Sequence, residues 1–336
     1  MGDITSETRT MRALRYHGNK DIRLEDVPEP ICLPGFIKIK NSWCGICGSG
    51  HEMSGTITEL GIGVIDFNIG DRVVIETVIS DGTCYGCSLH SPGLCSQRGF
   101  IGYSGYGGGF AESICVPSNS VFKLPASISM DVGALVEPLA VAWHAVKISG
   151  IGKGKSALIL GGGPIGLAVL LCLRAFGVSS ILVSEISPNR STYAREFGAT
   201  RVLNPLKEDV PAISKGLCKT LGPNVVFDCA GVQQSLDTAF AAVRVLGTIV
   251  NLAMWKRPAT VNANIFLAKQ LKWIGSAVYA KGEFQEVIDA IESGKIEKPE
   301  RLITSRISLE DSITKGFETL LSGTDNDVKI LVSPGL

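Results

Sequence analysis

Neither sign of charge is in excess: Lys and Arg number 32 and Asp and Glu 32 in 336 residues. Nothing therefore steers the chain toward nucleic acid or an anionic membrane surface. The opening "MGDITSETRT" lacks an apolar stretch and carries two acids. Neither a secretory signal nor a transit peptide is expected from it, and the cytoplasm is the expected compartment. Long hydrophobic runs are missing as well. The strongest, "LAVLLCLRAFG", is interrupted by Arg174 and is too short to span a bilayer. No repeat period or low-complexity tract stands out, which excludes fibrous and solenoid architectures.

What is present suits a soluble, turn-rich enzyme: 45% hydrophobic residues, 19% charged residues and 39 glycines, with length enough for a large core and two domains. Without a secretory signal, ten cysteines are expected to be thiols, some of them metal ligands, rather than disulfides. Cys32, Cys115, Cys172 and Cys218 stand singly and Cys229 follows a strand; all five read as buried thiols.

Residues 11 to about 125 read as β-rich: "FIKIKNSW" alternates, "GDRVVIE" follows a Gly-Asp turn, and "GGGFAESICVP" is bounded by glycine and proline. "SISMDVGALVEPLAVAWHAVKIS" reads as two helical pieces, with Pro138 in the first turn of the second. From about residue 150 strands alternate with helices, from "SALIL" through "LKWIGSAVY", which predicts a parallel sheet with helices on both faces. The tail from about 281 holds two helical stretches, "EFQEVIDAIESG" and "LEDSITKGFETLLSG", and a last strand, "DVKILVSP".

"SALILGGGPIG" sets Gly161, Gly163 and Gly166 in G-x-G-x-x-G spacing directly after a strand, with Pro164 and Ile165 opening a helix. Glycine is needed there for the tight turn, for close backbone approach to a pyrophosphate and for helix–strand packing, and the helix N-terminus offers N–H groups to the phosphates. Glu185 closes the next strand, 19 residues beyond Gly166, where an acid accepts hydrogen bonds from a ribose diol. A carboxylate would repel a 2′-phosphate, so NAD is favoured over NADP.

Two cysteine clusters follow a different logic. "SDGTCYGCSLHSPGLC" carries Cys84, Cys87 and Cys95 among glycines and serines, with Asp81 three residues ahead. Three closely spaced thiolates in a loop with little to pack predict a structural zinc, with either Asp81 or His90 as the fourth ligand. "WCGICGSGHEMSGTITELG" packs Cys44, Cys47, His51 and Glu52, all metal-ligand types, into nine residues.

A β-rich domain, a cysteine lobe and a dinucleotide fingerprint in that order resemble the zinc-containing medium-chain dehydrogenase/reductase family, and within it the sorbitol dehydrogenase-like branch that includes butanediol dehydrogenases. "SWCGICGS", "GHEMSGTITELG", "GDRVV", "GGGFAE", "ALVEPLAVAWHAVKISG", "GGGPIGL", "ILVSEI" and "VKILVSP" carry the likeness from Met11 to Pro334. The resemblance implies a distorted GroES-like barrel from residues 1–149 and 281–336, a Rossmann domain from 150–280, and an active site in the cleft between them. It implies a catalytic zinc held by Cys47, His51, Glu52 and Glu137, with Cys44 as a core residue. Ser49 falls on the hydroxyl that passes the substrate proton onward, Glu52 belongs to the same catalytic motif, and Arg190 falls beside the adenosine. The implied reaction is NAD-dependent oxidation of a vicinal diol such as 2,3-butanediol to its hydroxyketone, or the reverse, in a homodimer or homotetramer. A polyol dehydrogenase acting on sorbitol or xylitol, a zinc-free reductase, and a silent NAD-binding partner of a full-length isoform are the alternatives.

The chain departs from the family pattern after Ser49. There "GS" runs straight into "GHE", where the family has an excursion of roughly twenty to thirty residues that lets ligands converge from separate elements. If His51 begins a strand, Glu52 points to the opposite face. The expected consequence is a zinc site without its connecting segment and impaired or absent activity.

Overall fold

The strands of the N-terminal part follow from alternation. In Phe36–Gly45, Ile37, Ile39 and Asn41 turn inward and Lys38 and Lys40 do not. The computed structural model describes residues 9–47, 50–218, 221–322 and 327–336. In chain order its strands are β1 (Thr10–Gly18), β2 (Asp21–Pro28), β3 (Phe36–Gly45), β4 (Glu52–Leu60), β5 (Arg72–Ile75), β6 (Val78–Ile79), β7 (Gly99–Phe100), β8 (Ser113–Pro117) and β9 (Val121–Lys123). Then come β10 (Ser156–Leu160), β11 (Ser180–Ser184), β12 (Arg201–Leu203), β13 (Val225–Asp228), β14 (Thr248–Asn251), β15 (Lys272–Gly275), β16 (Ile303–Ser308) and β17 (Lys329–Ser333).

The chain divides into two compact units, one of Met1–Glu137 with Ile303–Leu336 and one of Pro138–Leu302. The first is built on a seven-stranded sheet in the order β16-β17-β3-β4-β5-β9, with β8 also paired to β3. Ile37, Ile39, Ile57, Val73, Ile75 and Val116 fill its core. β17 returns from the far end of the sequence to lie antiparallel to β3, with Leu331 opposite Gly45 and Val332 opposite Cys44. β4 flanks β3 on the other side, with Glu52 opposite Gly45. Residues 277 positions apart in sequence thereby become neighbours across one glycine.

The second unit is a six-stranded parallel sheet in the order β12-β11-β10-β13-β14-β15. Counted from β10 as the first strand, this is the doubly wound order 3-2-1-4-5-6, whose direction of winding reverses between β10 and β13. Leu158, Leu160, Leu182, Val226, Leu236 and Ile249 make its core. The helices Pro164–Ala175 and Pro188–Glu196 stop just ahead of Gly177 and Gly198, as their sequences predict. This unit is wider than the stretch 150–280. It takes in most of the helix Val136–Ser149 and the helix Glu283–Glu292, because His144 Nδ1 lies 2.8 Å from Glu283 and Trp143 donates to Glu286 at 2.8 Å.

"LEDSITKGFETLLSG" departs from a plain α-helix. It forms a π-helical turn over Ser312–Phe317 followed by an α-turn, Glu318–Leu321. The wider turn seats Gly316 against Ile46 and Ile307 and sets the Phe317 ring 5.6 Å from Phe110, so core packing wins over the local helical preference. Among the described residues no helix is long and apolar enough to cross a membrane.

Candidate functional site

The glycine loop lies at the carboxyl end of β10, next to the reversal in strand order, which is where doubly wound sheets bind dinucleotides. Gly161 takes a left-handed conformation, φ +97°, and its N–H donates to the Ser184 carbonyl at 2.9 Å. A β-carbon at Gly166 would overlap the Gly161 carbonyl oxygen, so only glycine lets the helix Pro164–Ala175 start this close to the strand. Pro164 takes the first helical position, where its missing N–H costs nothing.

Glu185 is 5% exposed and knits this loop together: one carboxylate oxygen accepts from the Gly162 N–H at 2.6 Å, the other from the Ser187 N–H at 2.7 Å. Each oxygen keeps a lone pair that a ribose diol could engage. Ser187 caps the next helix by accepting from the Arg190 N–H at 3.3 Å, and a β-carbon at Gly163 would stand 4.0 Å from the Arg190 guanidinium. Loop, acid and arginine are thus one cluster, and its close-approach glycines and helix N-terminus fit a dinucleotide.

The cysteine lobe is equally compact. The ligand atoms of Asp81, Cys84, Cys87 and Cys95 all lie within 4.8 Å of one another, a spacing that one tetrahedral metal ion can span. Backbone donors already face them. Cys95 Sγ accepts from the N–H groups of Asp81 and Gln97 at 3.4 and 3.3 Å, and Cys84 Sγ from that of Ser96 at 3.5 Å. The N–H groups of Thr83 and Cys84 hold the Asp81 carboxyl down to about 2. Those of Ser96 and Cys87 likewise lower the Cys84 thiol, whereas burial and the neighbouring thiols raise that of Cys87. His90 is exposed, in a left-handed conformation with φ +57°, and does not belong to the group.

The third candidate cluster is gathered only in part. His51 Nε2 lies 3.7 Å from Glu137, and His51 Nδ1 is buried without a hydrogen-bond partner. Glu137 opens the helix Val136–Ser149 and is 5% exposed. Burial first, then the charges of Glu52 and Cys47, raise its carboxyl, against the lowering pull of His51 and Lys329. Cys47 is exposed after β3, while Cys44 is fully buried in the core with its thiol raised by desolvation. Ser49 lies outside the described residues.

β4 starts at Glu52, with His51 one residue ahead of the strand, and the Glu52 carboxylate is committed to a lysine. Both its oxygens lie 2.7 Å from Lys329 Nζ, and the two side chains are 3% and 6% exposed. Burial pulls the lysine down, but Glu52, Cys47 and Glu137 outweigh it and hold the ammonium above its ordinary value. Among the described residues no second group of three donors is assembled. As placed, the set Cys47, His51, Glu52 and Glu137 does not fit a metal ion in the way the cysteine lobe does. Lys329 is the residue that sequence reasoning missed. Its signal was a lone cation in "VKILVS", where apolar neighbours on both sides announce a buried strand.

A parallel sheet with a glycine loop at its reversal point, in one chain with a GroES-like strand unit and a cysteine lobe, defines a class of dinucleotide-dependent oxidoreductases. Comparison agrees. The pattern of the Alcohol dehydrogenase GroES-like domain matches residues 47–126, and that of Zinc-binding dehydrogenase matches 164–293. An (R,R)-butanediol dehydrogenase of Saccharomyces cerevisiae is 36% identical, over 96% of this chain and 98% of its own. One from Bacillus subtilis is 35% identical over 96% and 100%. The crystal structure of 2R,3R-butanediol dehydrogenase from Bacillus subtilis superposes with a TM-score of 0.91 at 36% identity, covering 96% of this chain and 99% of that one. The chain belongs to the zinc-containing medium-chain dehydrogenase/reductase family.

The alignment to the Bacillus relative also bears on length. It runs over 353 positions, whereas 96% of 336 residues fills only about 323 of them. About thirty positions of the relative therefore have no counterpart in this chain.

Proposed function

We propose that this chain binds NAD and carries the hydride transfer between a vicinal diol, of the 2,3-butanediol kind, and its hydroxyketone. The observation that carries the reading is 35–36% identity to two butanediol dehydrogenases across 98–100% of their length. On this chain's side, Glu185 and the Gly161–Gly166 loop orient the cofactor, while Cys47, His51 and Glu137 are not gathered into a metal site. Glu52 serves from behind, committed to Lys329. Turnover below that of a full-length member is expected, since about thirty positions are absent and the three donors stand ungathered.

The test is NADH formation by the purified chain on (R,R)-2,3-butanediol, sorbitol and xylitol, with NAD binding followed separately by calorimetry. Diol-selective turnover supports the reading. Turnover on the polyols alone moves the chain to the polyol branch. NAD binding without any turnover favours the second reading, a silent dinucleotide-binding protein, for which the Glu52–Lys329 pair and the incomplete donor set speak.

A homodimer is part of the same proposal. β15 is the edge strand of the parallel sheet, and nearby Trp273 and Leu267 are 38% and 82% exposed, so the edge suits pairing with a second copy. Light scattering on the purified chain reads this directly. The ten cysteines are all thiols, which suits a reducing compartment, and we place the protein in the cytoplasm.

A further inference from the structure

We propose that a cleft in the strand unit binds a small hydroxylated anion, with its carboxylate or phosphate held by Arg9 and Lys40 and one of its hydroxyls donating to Asn41 Oδ1. The inference does not rest on the dehydrogenase reading, and none of these residues belongs to the three clusters described above.

The cleft measures about 600 Å³, within the range of small-molecule sites. Lys38 and Lys40 of β3, Thr58 of β4, Ser113 of β8 and Arg9 and Arg12 at the start of β1 line it, together with the chain beyond β17. Small-molecule sites are mostly apolar with a few placed polar groups. Here the proportion is reversed: among the described residues that line the cleft, only Pro334 and Leu336 bring apolar side chains. The lining therefore selects a polar ligand.

Pairing within the cleft decides the sign of its charge. Four cations meet three acids there, and two of the acids are already engaged. Glu29 takes Lys38 at 3.0 Å. Glu112 accepts from the Arg12 N–H at 3.0 Å and from Arg12 Nε at 2.9 Å, and the same guanidinium reaches Glu310 and the Pro334 carbonyl. Arg12 thus fixes the wall instead of facing a ligand. Arg9 and Lys40 are exposed and have no side-chain partner among the described residues, which leaves two unpaired cations against Glu59. An anion fits that excess, and charge-assisted hydrogen bonds from arginine and lysine are the strong ones.

Asn41 adds a second requirement. It is 3% exposed and lines the same cleft. Its N–H donates to the Glu112 carbonyl at 3.0 Å and its Nδ2 to the Ala111 carbonyl at 2.8 Å. Oδ1 is buried with no hydrogen-bond partner, a state that costs free energy until a donor arrives. The bond to Ala111 fixes which end of the amide is the acceptor, so the ligand must bring a donor and not another acceptor. The unpaired cations disfavour an ammonium in that role, which leaves a hydroxyl. Neither an ion without hydroxyls nor a neutral polyol meets both requirements.

The experiment is titration calorimetry on the full chain with gluconate, glycerol 3-phosphate, inorganic phosphate and sorbitol. At least one of the two hydroxylated anions should bind at millimolar concentration or below, and more tightly than inorganic phosphate; gluconate alone would assign a carboxylate, glycerol 3-phosphate alone a phosphate. Lys40→Gln and Arg9→Gln should each weaken that binding by about tenfold, the order that loss of one hydrogen bond to a charged group produces. Added salt should weaken it further, because both cations are exposed. Asn41→Leu should bring the hydroxylated anion down to the affinity of inorganic phosphate. Asn41 is buried and its variant can fail to fold, but the comparison of the four probes on the wild-type chain reads the same requirement. Unchanged affinity in the Arg9→Gln, Lys40→Gln double variant would overturn the site. Inorganic phosphate binding as tightly as both hydroxylated anions would overturn the role of Asn41. A sorbitol isotherm that Lys40→Gln weakens as much as that of the anion would overturn the charge requirement, and no binding by any probe would overturn the proposal outright. None of these readouts depends on NAD or on diol oxidation.

Discussion

Lys329 and Glu52 show how much one pair of residues can decide. Two opposite charges are buried together beside Gly45, where a β-carbon would overlap the Glu52 carboxylate. Such a pair adds little stability over a well-packed apolar one, but removing a single partner strands the other charge in a medium that cannot solvate it. Lys329→Met should therefore destabilise the protein by about 3–5 kcal/mol in denaturant titrations. Lys329→Met combined with Glu52→Leu should recover most of that loss. Equal losses in the single and double variants would mean that the lysine acts by packing and not by charge. The same pair shows where sequence reading ran short. The family motif made Glu52 a metal donor, whereas in the structure both its oxygens are committed to Lys329. That lysine, 277 positions on, is visible as a partner only once β17 lies beside β3.

At the scale of elements, local pattern was a good guide wherever local physics set the outcome. The glycine loop, the strand Ser156–Leu160 and the helix that opens at Pro164 were legible in residue spacing, because an apolar run, glycine's conformational freedom and proline's fit to a first helical turn are properties of the local sequence. The π-helical turn over Ser312–Phe317 was not legible, since it answers to Ile46 and Phe110 from distant strands. Nor was the attachment of the helix Glu283–Glu292 to the parallel-sheet unit. Its anchor is Glu283, 5% exposed in its side chain, which meets His144 at 2.8 Å and Lys147 at 3.3 Å and accepts from the Ala280 N–H at 2.8 Å. Burial alone would raise this carboxyl, but the bonds from His144 and Ala280 and the charge of Lys147 outweigh burial and lower it. A carboxyl whose folded-state pKa lies below its unfolded value contributes stability above the unfolded value and loses it as pH falls through the folded one. Glu283→Gln should thus cost about 2–3 kcal/mol at neutral pH. The gap from wild type should close as pH drops below the ordinary carboxyl value of 4.5. A gap that persists unchanged into that acid range would assign the loss to packing.

At the scale of the whole molecule, the two halves of a dehydrogenase have fared differently in this chain. The parallel sheet has the doubly wound strand order, the glycine loop and the acid, an arrangement that suits a dinucleotide. The strand unit keeps its core and its cysteine lobe, yet about thirty positions of the Bacillus relative have no counterpart here, and the family resemblance puts the expected gap after Ser49. Binding and chemistry should therefore separate. Grafting the relative's intervening segment at that point should leave the NAD dissociation constant within about twofold, because the loop, Glu185 and the helix N-terminus are untouched. Diol oxidation should rise by about a hundredfold or more, the order of effect that a misplacement of 1 Å at reacting groups produces. The two quantities are read by calorimetry and by NADH absorbance on the same preparation. If the graft leaves turnover where it was, the fault lies with the pairing of Glu52 to Lys329, not with the missing segment. The chain would then be a dinucleotide-binding protein that no restored wall can make into a catalyst.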